Sequence, residues 1–65
     1  MNLWLKRLRE AKSMSQIQVA EAAKISQQYY SFIESGERGV KLPVPTAQKI
    51  AAALGFDWQR FYEAQ

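Results

Sequence analysis

Cysteine and histidine are both absent from these 65 residues. The first absence excludes a disulfide or a thiolate metal site, and the second removes the commonest metal ligand and general base. Glycine and proline are scarce, at three and two residues. Two of the glycines, Gly36 and Gly39, fall in SGERG, which lacks the strand, lysine and threonine of a phosphate-binding loop. The carboxylates Glu10, Glu21, Glu34, Glu37, Asp57 and Glu63 have no spacing or apolar setting that suggests a paired acid and base. No apolar run approaches the roughly 18 residues that span a bilayer, and the opening MNLWLKRLRE carries charges where a signal peptide needs its apolar stretch. Catalysis, a metal centre, a cofactor, a small-molecule sensor pocket and a membrane anchor therefore have nothing to stand on. The expectation is a soluble cytoplasmic protein that is not an enzyme.

What is present is basic and helical. Nine Lys and Arg against six Asp and Glu give a net charge of +3, in the range of nucleic-acid binders. Lys6, Arg7, Arg9 and Lys12 crowd the first helix, and Lys24, Arg38 and Lys41 lie in or near later joints. A single domain this short buries only about 60% of the surface its unfolded chain exposes. Idealised helix packing or self-association must compensate.

The periodicity predicts five helices and no strands. The first runs from Asn2 to Lys12, with Trp4, Leu5, Leu8 and Ala11 inward and Lys6, Arg7 and Glu10 outward. Ser15 opens the second with Gln18 completing a capping box, and Ser26 caps the third, which Gly36 ends. A loop from Gly36 to Leu42 precedes the fourth, with Pro45 in its first turn, Ala47, Ile50, Ala51 and Leu54 inward, and Gly55 as its cap. Asp57 caps the fifth, which carries Trp58, Phe61 and Tyr62.

The most informative stretch is QIQVAEAAKISQQYYSFIE, from Gln16 to Glu34, in which helices 2 and 3 are separated only by a short joint around Lys24 and Ile25. Helices joined so tightly cross steeply, as in a DNA-reading helix-turn-helix. Val19, Ala20 and Ala23 share one face of helix 2, and Tyr30, Ile33 and Glu34 one face of helix 3. Gln27, Gln28, Ser31 and Phe32 are left on the other face of helix 3, offering amide donors and acceptors. A glutamine amide can donate to N7 and accept from the N6 amino group of adenine.

The leading Gln16, the small Ala20 at the helix crossing, Ile25 after the turn, Ile33 closing helix 3 and KIAAALGF from Lys49 to Phe56 together resemble the phage Cro and lambdoid repressor proteins, the XRE family, over about Leu5 to Phe61. The resemblance implies an all-α, five-helix lambda-repressor-like DNA-binding domain, with helices 2 and 3 forming the helix-turn-helix. It also implies that Gln16 binds a backbone phosphate at the amino end of helix 2. Gln27 and Gln28 stand where some phage repressors have tandem glutamines that read bases. Tyr29 and Phe32 lie near enough to meet thymine methyl groups or the sugar-phosphate chain, or else pack. Ser26 and Ser31 can add neutral phosphate bonds, and Arg38 and Lys41 can reach the backbone or minor groove from the loop, or else stay solvated. Arg9 and Glu34 have the spacing of an ion pair that braces helix 1 against helix 3. Lys24 departs from the family, which most often has glycine there.

Double-stranded DNA is thus the expected partner. Reading a two-fold site needs two recognition helices about 34 Å apart, so a homodimer is expected, at least on DNA, formed by Trp58, Phe61 and Tyr62 of helix 5 with helix 4 as a further contributor, although core packing is the commoner fate of Trp58 and of Phe61 taken singly. The alternative is a protein-interaction module of the same fold, antitoxin-like or partner-sequestering, that uses this aromatic carboxyl end.

Overall fold

The computed structural model describes residues 3–36 and 42–63. Five helices follow one another: α1 (Leu3–Ala11), α2 (Gln16–Ala23), α3 (Gln27–Ser35), α4 (Val44–Leu54) and α5 (Arg60–Glu63). No strand occurs among the described residues. The expected all-α architecture is observed.

Helix starts follow from their capping residues. Ser15 Oγ accepts from the Gln18 amide at 3.1 Å while Gln18 Oε1 accepts from the Ser15 amide at 2.8 Å, a complete capping box. Ser26 Oγ accepts from the Tyr29 amide at 3.1 Å. Pro43 takes the N-cap position of α4, and Pro45 sits in the first turn, where a missing amide hydrogen removes no helical bond.

Helix ends share one device, a left-handed residue that turns the chain. Glycine supplies it after α3 at Gly36 and after α4 at Gly55. After α1 and α2 the residues are Ser13 (φ 55°) and Lys24 (φ 59°). In each of these two turns, and at Gly55, the next amide reaches back to a carbonyl five residues earlier: Met14 to Arg9, Ile25 to Ala20 and Phe56 to Ala51. The short connections are thus closed by hydrogen bonds, which is what fixes the crossing of α2 and α3.

The core lies between α2, α3 and α4, with α1 laid across α3. Leu5, Val19, Ala20, Ala23, Tyr30, Ile33, Ala47, Ile50, Leu54 and Phe61 form its buried cluster. Small residues at Ala20, Ala23 and Ala47 let the helix axes approach closely, as the sequence pattern requires.

Two sequence expectations change. Ala11, expected inward, is exposed. At 3.6 residues per turn it stands roughly 120° around α1 from Leu5, whereas Arg9 stands only about 40° away; Arg9 therefore occupies the inward face in its place. Helix 5 is also shorter than expected. Trp58 falls in the turn before it, where Asp57 Oδ1 accepts from the Gln59 amide at 3.0 Å and the Arg60 amide bonds back to the Asp57 carbonyl.

The carboxyl-terminal aromatics fold back on α1. Trp4, Phe56 and Phe61 form a ring triangle with centroids 5.3 to 5.4 Å apart, and the Arg60 guanidinium lies 4.6 Å over Trp4. Phe61, expected at a dimer surface, is only 8% exposed and belongs to the core. Trp58 is half-buried against that core, and its ring meets Tyr62 edge-on at 6.0 Å. Tyr62 donates its hydroxyl to the Leu42 carbonyl at 2.7 Å, tying α5 to the segment that leads into α4.

Candidate nucleic-acid interface

One face of the molecule combines the amino end of α2 with the amino half of α3. Ser15 opens α2, and the first amides of any helix lack intrahelical partners, so this end carries partial positive charge. Gln16 stands half-buried at its edge, and Ile17 beside it is 51% exposed. Across the joint, Gln27 and Gln28 are exposed in the first turn of α3. Ser31 and Phe32 are half-buried one turn further on. Tyr29 is half-buried and packs against the core. Ser26 accepts the Tyr29 amide, which leaves its hydroxyl hydrogen free to donate. Arg38 and Lys41, with most of the loop expected from Gly36 to Leu42, lie outside the described residues.

Behind this face is a buried polar junction. Arg9 donates through Nε to Glu34 Oε2 at 2.8 Å and through Nη2 to Glu34 Oε1 at 3.0 Å, a two-pronged ion pair. Its remaining prong, Nη1, donates to the Met14 carbonyl at 2.9 Å. Side-chain exposure is 12% for Arg9 and 6% for Glu34. Thus α1, the turn after it and the end of α3 are bonded through one guanidinium.

Burial opposes ionisation of Glu34, but the hydrogen bonds from Arg9, with others from its surroundings, outweigh it and hold the carboxyl below the usual glutamate range. Arg9 is raised in turn, first by its hydrogen bonds to Glu34. The Tyr30 hydroxyl is buried beside the same carboxylate. Burial, reinforced by hydrogen bonding to the Glu34 carboxylate and then by its charge, pushes that phenol far up.

Three features escaped the sequence reading. Gln16 Nε2 donates to Glu34 Oε1 at 3.1 Å, so the expected anchor touches the expected brace. Ser13 carries a left-handed turn that no glycine announces. Ile17 is an exposed branched side chain next to Gln16, and an outward position in the α2 pattern was its only signal.

A helix-turn-helix family model matches residues 5–61, nearly the whole chain. The chain belongs to the Cro/C1-type helix-turn-helix family. It is 46% identical over 63 residues to a protein of Bacillus subtilis (strain 168) named as an uncharacterized HTH-type transcriptional regulator, YqaF, covering 97% of this chain and 80% of that protein. No solved structure matches. No group of histidine, cysteine or carboxylate side chains suited to a metal ion occurs among the described residues, and no helix there is long and apolar enough to cross a membrane. The family assignment accounts for the α2–α3 joint. The particular side chains displayed on it belong to this chain.

Proposed function

We propose that this protein is a sequence-specific DNA-binding transcriptional regulator, a repressor that occupies an inverted-repeat operator as a homodimer. Helix α3 lies in the major groove with Gln27 and Gln28 on base edges, while Gln16, Ser26 and Ser31 bind the backbone. The observation that carries this reading is the pairing of two exposed glutamines at the start of α3 with a capped helix end at Ser15 and Gln16, on a joint closed by hydrogen bonds. Family membership and the name of the Bacillus relative support it. Arg38 and Lys41 supply further cations to the backbone.

Trp58 and Tyr62, with Val44 nearby in the chain order of the Leu42 tether, supply the surface between protomers. Tyr62 and Val44 are 41% and 43% exposed, which favours this edge over Phe61. The same exposed edge is what the protein-interaction alternative would use. Selection from a random duplex pool decides between them. The expected outcome is an enriched two-fold sequence with half-sites about one helical turn apart, and an unenriched pool would move the reading to the interaction module.

A further inference from the structure

Among the described residues, Gln16 is the one side chain at the α2 end that bonds the Arg9–Glu34 junction. Its carboxamide nitrogen carries two hydrogens and its oxygen none. The nitrogen is the atom that meets Glu34 Oε1, at 3.1 Å. A reversed amide would place two acceptor oxygens against each other, so the carboxylate decides which way the amide stands. Glu34 is itself unable to turn away, because both its oxygens are held by Arg9 and Arg9 is held by the Met14 carbonyl. Arg9 also neutralises a carboxylate that, bare, would repel an anion approaching Gln16.

We propose that Glu34 is a positioning residue for Gln16: fixed by Arg9, it takes one amide hydrogen of Gln16 inward and so presents the other to a DNA phosphate. This rests on the DNA-binding reading above. Its consequence is that the phosphate contact depends on two residues that touch no DNA, one on α1 and one on α3. Register on the backbone is then set by the same carboxylate that sets the angle of the reading helix.

The test uses the full chain in four forms: unchanged, Gln16→Ala, the paired replacement Arg9→Met with Glu34→Met, and all three changes together. The paired replacement removes both charges at once, which a fold often tolerates. The probe is a short fluorescent duplex of random sequence, since a phosphate contact is independent of sequence. Gln16→Ala is expected to weaken binding about tenfold in the unchanged chain, as for loss of one hydrogen bond to a charged group, and about twofold or less where Glu34 is gone. In the free protein, the side-chain amide resonances of Gln16 are expected apart from those of the exposed Gln48, and to move toward them in the paired replacement. Should that variant fail to fold, Glu34→Asp keeps the charge beside Arg9 but withdraws its oxygens from Gln16, and the same reduction is expected.

Equal loss on Gln16→Ala in both backgrounds, no loss in either, or amide resonances indifferent to Glu34 overturns the proposal. Absence of duplex binding by every form overturns the functional reading as well. The amide resonances separate the two failures, since they are read without DNA.

Discussion

Besides burying Leu5 in the core, helix α1 is fastened to the rest of the molecule at its two ends, and the two fastenings are built from opposite chemistry. Toward α2 and α3 it uses Arg9, whose guanidinium bonds Glu34 twice and the Met14 carbonyl once. Toward the carboxyl-terminal segment it uses Trp4, packed edge-on against Phe56 and at a tilt against Phe61 and covered by Arg60. Ring contacts of this kind are weakly directional and tolerate some sliding. A two-pronged ion pair does not, because both bonds fail together when its partners rotate. The directional fastening lies behind the candidate interface, where helix orientation matters. The forgiving one lies at the other end of α1, where only burial is required.

That contrast is broken most severely by Arg9→Met. Removing one partner of a buried pair leaves the other uncompensated, and a loss of about 3 to 5 kcal/mol is expected. At the usual scaling for so small a domain, this lowers the melting temperature by more than about 12 °C. Replacing Glu34 by Met at the same time should restore much of the loss. A melting temperature for Arg9→Met within error of the unchanged chain would show the pair to be merely a surface contact.

Phe61→Ala tests the other fastening. Deleting a buried phenylalanine typically costs about 3 to 5 kcal/mol, and the lower end is expected here because Phe61 keeps 8% exposure. If the comparison is right, this variant loses stability in proportion to area but keeps the α2–α3 geometry. The backbone resonances of Gln27 and Gln28 should therefore stay in place at temperatures where the variant is folded, whereas in Arg9→Met they should shift.

The two regions also differ in their response to acid. Glu34 titrates below its ordinary value of 4.5 in the folded chain. A depressed carboxylate contributes stability that is fully present above the unfolded value and disappears as pH falls through the folded value. Melting temperature should thus fall as pH is lowered below about 4.5, and fall less steeply in the paired replacement of Arg9 and Glu34. Parallel acid profiles for the two proteins would remove the ion pair as the cause. The rings of Trp4, Phe56 and Phe61 carry no titratable carboxylate.

On the recognition side of the junction, Gln27→Ala or Gln28→Ala is expected to cost about 1 to 3 kcal/mol on the selected site with little change on random DNA. Equal losses on both would assign these residues to backbone binding. Because the two side chains are exposed, neither substitution should alter the melting temperature.

The unequal legibility of the two regions has a physical basis. Capping boxes and helix faces are local, so Ser15 with Gln18, Ser26, Gly36 and Gly55 could be read from neighbours a few residues away. The Arg9–Glu34 pair spans 25 residues and became legible only through family resemblance. The Gln16 bond to the same carboxylate was hidden, because spacing in sequence says nothing about which donors a buried oxygen accepts. The fate of Phe61 was likewise undetermined by its helix face. It depends on whether the chain after Gly55 turns back onto Trp4, and aromatic residues serve equally well in a core or at a surface.

The smallest expected effect concerns the left-handed turns, and it again separates the regions. Around α2 both turns use residues with a side chain, Ser13 and Lys24, while the turn that leads α4 toward the aromatic segment uses Gly55. A left-handed residue other than glycine costs roughly 1 kcal/mol, and glycine returns part of that through the greater freedom of its unfolded chain. Lys24→Gly should therefore stabilise the protein by a few tenths to about 1 kcal/mol, read as a small rise in the denaturation midpoint. Gly55→Ala should do the opposite. Its added methyl would stand 3.3 Å from Lys12 Nζ, the far end of a flexible side chain that can move aside, so the cost is conformational and not steric. A gain at Lys24 matched by a comparable loss at Gly55 would show that both turns carry the same backbone term. Lack of gain at Lys24 would mean that the Ile25-to-Ala20 bond, not the identity of the residue before it, fixes the joint between α2 and α3.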